Sequence, residues 1–186
     1  MSRWYLGLVA VLFSQDLAAQ AVVRPEPKLD AGRVVLRDAL LQFRDSLNSI
    51  DAAASRLQRD YRQSSVASLT SRARVMHQAC AGSVRSVPAA RKTVIGAEAS
   101  SARQLQRRGE MVGALDQLQK ALIRCESEFA AMSRAGEGEK VRGYGNDRAR
   151  RVQAALRGYE KVLAQFLSTM GIKVTPLGTQ PRPLAG

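Results

Sequence analysis

Histidine, cysteine, aromatic side chains and acidic charge are all scarce in this chain. Its 186 residues hold one histidine, His77, and two cysteines, Cys80 and Cys125. A structural zinc site draws four Cys or His ligands, and a helical di-iron site needs Glu-x-x-His pairs; neither set is present. Cys80 is not followed by a second cysteine and a histidine, which excludes the c-type haem attachment pattern. Aromatic residues make up 5% and are not interleaved with the arginines, so the stacking platform of single-strand nucleic-acid binders is missing. The stretch rich in Gly136, Gly138, Gly143 and Gly145 has no Gly-x-x-x-x-Gly-Lys-Ser/Thr or Gly-x-Gly-x-x-Gly pattern. Glu126 with Glu128, and Glu137 with Glu139, stand two apart, a spacing that does not face carboxylates together on a helix. No cofactor, metal or catalytic set is therefore expected, and neither is a nucleic-acid partner.

Long apolar runs are also missing. The longest uncharged apolar stretch, Trp4 to Phe13, falls short of the roughly 18 to 20 residues that span a bilayer. It follows Arg3 and precedes Ala19-Gln20-Ala21, a small-x-small pattern. That order reads as a signal peptide over residues 1–21, cleaved after Ala21, and predicts an exported protein, periplasmic or extracellular. No membrane-spanning helix is expected after cleavage. Export puts Cys80 and Cys125 in an oxidising compartment, where one intramolecular disulfide is the default.

What is abundant is Ala, Leu and Arg, a composition that favours helices packed through aliphatic stripes. Val22 to Leu29 carries Pro25 and Pro27 and reads as an extended leader. A helix is predicted over 30–62, capped by Asp30, with Leu36, Leu40, Phe43, Leu47, Ile50, Ala54, Leu57 and Tyr61 on one stripe. Those spacings alternate four and three, the repeat of a long packed seam. The stripe then slips phase near Ser64, which predicts a turn. A second helix is expected from Val66 to Ala81 with Gly82 as its stop, and a connector over 83–100 with a short helical piece at 88–95. A third runs from Ser101 to Met132 along Leu105, Val112, Leu115, Leu118, Leu122, Cys125, Phe129 and Met132. Ala135 to Asn146 reads as a flexible connector. A fourth helix spans Asp147 to Met170, stopped by Gly171, before a mobile tail over 172–186 with three prolines. The predicted fold is all-α, an antiparallel bundle of about four amphipathic helices over residues 30–171. If residues 88–132 were one helix doubling back on a helix ending near 82, the two cysteines would lie roughly 50 Å apart. Pairing them therefore calls for a connector that travels back along the bundle.

Charge is the remaining feature, at a formal +13. Residues 72–108 carry eight basic residues against one acidic, and residues 139–161 carry seven against three. Arginine dominates both, and its planar fork suits phosphate and carboxylate oxygens. Arg103 and Arg107 share a helix face, with Arg108 at its edge; Arg148, Arg150, Arg151 and Arg157 form a second group. The expectation is a non-enzymatic exported bundle that binds an anionic lipid, a glycolipid or an acidic protein through these arginines. The alternatives are a structural module, a homo-oligomer through the seam of the first helix, or an enzyme of unknown type.

Overall fold

The computed structural model describes residues 29–59 and 62–173. The predicted signal peptide, all of the leader but Leu29, and the tail beyond residue 173 lie outside these residues, as does Tyr61. Every element in the described residues is helical, and the helices pack as an all-α bundle.

α1 spans Ala31–Arg59. Asp30 caps it, its Oδ1 accepting the Arg33 backbone N–H at 2.8 Å. The predicted stripe from Leu36 to Leu57 is buried at every position in these residues, with Ala53 added. This seam is therefore consumed inside the chain; a coiled coil with another copy through it would require the bundle to open.

α2 spans Val66–Gly96, capped by Ser65, whose hydroxyl accepts the Ser68 N–H. It does not stop at Gly82, and it contains Pro88. Most of the predicted connector over 83–100 is replaced by about four more helical turns, to Gly96, and the physical reason lies in the buried face. Leu69, Ala73, Met76, Cys80, Ser83, Val87, Ala90 and Val94 alternate four and three without a break. Packing along that seam outweighs about 1 kcal/mol for an interior glycine and about 3 kcal/mol for an interior proline. Pro88 points to solvent, and Ser83, buried, donates to the Ser46 carbonyl of α1 at 3.4 Å.

α3 spans Ala102–Met132. Ser101 caps it through the Gln104 N–H, while the Gln104 side chain accepts the Ser100 N–H at 2.9 Å. Its buried stripe starts at Met111 and continues through Leu115, Leu118, Leu122, Cys125, Phe129 and Met132. The predicted Leu105 lies exposed near the helix start instead, and Val112 is only partly buried.

The α2–α3 turn at 97–101 lies close to midway in sequence between the cysteines. An antiparallel hairpin about that turn brings them together directly: the Cα atoms are 6.1 Å apart and the sulfurs 2.06 Å, disulfide distance. The connector expected to travel back along the bundle is not needed, because the turn comes later than the predicted stop at Gly82 placed it.

The glycine-rich segment is a correction as well. It is helical from Gly138 onward: α4 (Gly138–Lys140), a π-helical turn (Val141–Gly145) and α5 (Asn146–Thr169) run on without a gap. Only Gly136 turns the chain in the left-handed region, at φ 84°. Gly138 lies against the backbone of Val66, and Gly145 against Val141 and Leu57. These glycines supply close approach, where flexibility was predicted. α5 ends as expected at Gly171, φ 75°, with the Ile172 N–H reaching the Leu167 carbonyl at 2.8 Å. Ile172 is buried against the core, so the first residue of the predicted mobile tail is fixed.

α1 packs on α2 and α5, and α3 packs on the same two, which places the four long helices around one core. Gln58 of α1 and Gln153 of α5 are tied by a 2.6 Å hydrogen bond, and Gln153 also donates to Asp51. Tyr159 stands edge-on to Phe43, ring centroids 5.7 Å apart, fully inside. Its hydroxyl is buried and finds no protein partner, and burial pushes its ionisation far above the ordinary tyrosine range. An unpaired buried hydroxyl costs about 1 to 3 kcal/mol. Tyr159→Phe is therefore expected to hold or raise stability, by about 1 kcal/mol, in urea denaturation; a loss above that size would reveal a hydroxyl partner.

Candidate anion-binding surface

The seven arginines singled out by the sequence fall into two kinds. Arg107, Arg108 and Arg148 are half-buried and engaged. Arg107 pairs with Glu110 at 2.5 Å and donates to the Gln165 side chain of α5 at 3.2 Å. Arg108 donates to the carbonyls of Ala97 at 3.0 Å and Ile95 at 3.4 Å. It thus closes the C-terminal end of α2, where helix carbonyls lack partners. Arg148 sits 3.2 Å from Glu128 across the α3–α5 seam. Arg103, Arg150, Arg151 and Arg157 are exposed and make no ion pair among the described residues.

The two groups do not form one patch. Arg107 lies beside Gln165 near the end of α5, whereas Arg148 lies beside Glu128, so they are roughly 30 Å apart along the bundle. Arg148 and Arg151 are instead brought together with Arg124, which sequence reading did not single out. The three line a groove of about 150 Å³ between α3 and α5, over Ala121, Cys125 and Val152, with Glu128 the one acidic residue in its lining. Arg124 stands alone in sequence, outside both arginine-rich segments; only the hairpin of α3 and α5 places it beside the others. Helical spacing from Cys125, known to face inward, was the signal that could have found it.

A second basic groove, about 300 Å³, lies between α1 and α2, lined by Ala53, Arg56, Arg59, Arg72 and Val75. Here the cations already serve the helix end. Arg56 and Arg59 occupy the last turn of α1, Arg72 donates to the Arg56 carbonyl at 2.6 Å, and Arg56 to that of Ala52. Positive charge at that position compensates the negative end of the helix dipole.

His77 faces the Glu126 carbonyl, its Nδ1 3.2 Å away, and ties α2 to α3. No group of three potential metal ligands comes together among the described residues, and no described helix is long and apolar enough to cross a membrane.

Two carboxylates are shifted. Glu110 is held below the usual range by hydrogen bonds from Gln106 and then Arg107. Glu160 is pushed up by burial, with Arg44 opposing and Asp45 adding to the rise. A raised folded-state value means that the penalty appears as pH rises through it; below the unfolded value both states are protonated and the penalty vanishes. Glu160→Gln is thus expected to add stability at pH 7 and none at pH 3. Thermal melts at both pH values check this, and an equal gain at both would contradict it.

Compared with known protein families, characterised proteins and solved structures, the chain shows no match.

Proposed function

We propose that this is a non-enzymatic, exported helical-bundle protein that binds an anionic envelope surface, lipid or glycolipid, or an acidic protein partner, through its exposed arginines. The observation that carries this reading is the separation among the arginines themselves. Glu110 and Glu128 are taken by Arg107 and Arg148, while Arg103, Arg150, Arg151 and Arg157 stay exposed without a carboxylate. A phosphate or carboxylate can take such guanidinium groups with two parallel hydrogen bonds per pair. Their charge acts over a Debye length, about 8 Å at physiological salt. Export is supported by the signal-like N-terminus and by the cysteine pair at disulfide distance.

Co-sedimentation of the oxidised protein with anionic and neutral vesicles, at low and high salt, tests this. Binding to anionic vesicles alone, lost at high salt, is expected. Absence of binding at low salt would remove the lipid surface and leave an acidic protein as the partner to be sought; binding to neutral vesicles at high salt would contradict an electrostatic surface altogether.

A further inference from the structure

We propose that the groove between α3 and α5, walled by Arg124, Arg148 and Arg151, is a binding site for one phosphate monoester dianion. This rests on the reading of the chain as an anion binder and names the ligand and the place. Three arginines from two helices line it against a single carboxylate, Glu128. Unlike Arg56 and Arg59, none of these arginines occupies the C-terminal turn of its helix: Arg124 stands two turns before the end of α3, and Arg148 and Arg151 lie early in α5, behind the unbroken helical run from Gly138. The one existing pair is incomplete. Glu128 lies 3.2 Å from Arg148 Nε, yet that buried nitrogen makes no hydrogen bond. Glu128 thus holds Arg148 by charge alone and is a partner that an incoming dianion can replace.

The lining explains why the site favours a small, highly charged group. Ala121, Cys125 and Val152 make a floor of short apolar side chains, which leaves the arginines as the polar walls. Low polarity beneath the guanidinium groups strengthens their attraction for an anion. At about 150 Å³ the open groove has room for roughly five waters, enough to seat a phosphate group while the rest of a monoester projects outward. A monoester offers three charged oxygens to three forked donors; a diester offers two and half the charge. The walls are also held in place from behind. Cys125 is joined to Cys80 of α2, and Gln153, two residues after Arg151, is anchored to Gln58 and Asp51 of α1.

The same chemistry can be presented by free phosphate or by a lipid carrying a terminal phosphate. Calorimetric titration with inorganic phosphate, and flotation with vesicles of phosphatidic acid against phosphatidylglycerol, separate the two. Arg124→Gln with Arg151→Gln is expected to weaken binding at least tenfold. Glu128→Gln is expected to strengthen it severalfold, a gain that a merely destabilised fold would not give. Arg74→Gln with Lys92→Gln, exposed on α2 and outside both the groove and the four exposed arginines named above, is expected to leave it unchanged. Groove-dependent binding of inorganic phosphate assigns the soluble ion; groove-dependent binding of phosphatidic acid vesicles alone assigns the lipid-borne group. Equal weakening by both double variants would overturn the groove and leave a diffuse arginine surface standing. Binding of neither probe, with anionic vesicles still bound in low salt, would overturn the phosphate site alone.

Discussion

Reduction of the oxidised protein, or replacement of both cysteines by alanine, is expected to cost about 4 kcal/mol of folding stability. That figure follows from the chain entropy that a cross-link removes across a separation of 45 residues. Stabilities of single domains run from about 5 to 15 kcal/mol, so the loss is a large share of the total. For a chain of this size it corresponds to a fall in melting temperature of about 10 °C. The two sulfurs are buried between α2 and α3 halfway along the hairpin, so the cross-link restrains both helices where they pack. Thermal melts with and without reductant, read beside the alanine variant, make the check. An unchanged melting temperature in reductant would show that the cysteines are not joined.

Two glycine substitutions with opposite signs form the second expectation. Gly138→Ala places a methyl against the Val66 carbonyl oxygen, 2.5 Å from its Cγ1 and 2.7 Å from its Cα. Two of those three atoms are backbone, so rotation of a side chain gives no relief and the start of α2 must move away. A loss of about 3 kcal/mol is expected. Gly82→Ala meets nothing within 4 Å and sits inside α2, so it is expected to gain about 1 kcal/mol through helix propensity. Denaturant melts of the two variants check both signs together. A gain from Gly138→Ala would mean that the segment is the loose connector its composition suggests.

Those two glycines also show what the sequence could and could not convey. The stripe of α1 was legible because each core position holds a strongly apolar residue at unbroken spacing, from Leu36 to Leu57. The same repeat continues along α2, but Ser83 and Ala90 stand at core positions beside Gly82 and Pro88, so local breaker signals mask it. The serine is tolerated inside only because a carbonyl of α1 accepts its proton, a tertiary fact with no local trace. Glycine is ambiguous in the same way: it reads as freedom in a loop, yet at Gly138 it permits two backbones to touch. The starts of α2 at Val66 and of α3 near Ser101 were legible, because the capping serines Ser65 and Ser101 act within four residues of chain.

The candidate surface was half legible. Arginine-rich segments are visible in one dimension, and Arg150, Arg151 and Arg157 of the second group are exposed. The division of labour is not visible there. Arg108 serves the carbonyls at the end of α2 and Arg107 a glutamate on its own helix, roles set by the α2–α3 turn and by helix spacing. Arg124 becomes part of a site only through the antiparallel pairing of α3 with α5.

That division gives the most direct measurement. Vesicle co-sedimentation at low salt compares the unmodified protein with a variant carrying Glu at Arg103, Arg150, Arg151 and Arg157, and with a variant carrying Gln at Arg107 and Arg108. Loss of binding in the first, with a normal melting temperature, and retention of binding in the second, with a lowered one, is the expected pair of results. Full binding by the four-fold reversal would contradict an arginine surface.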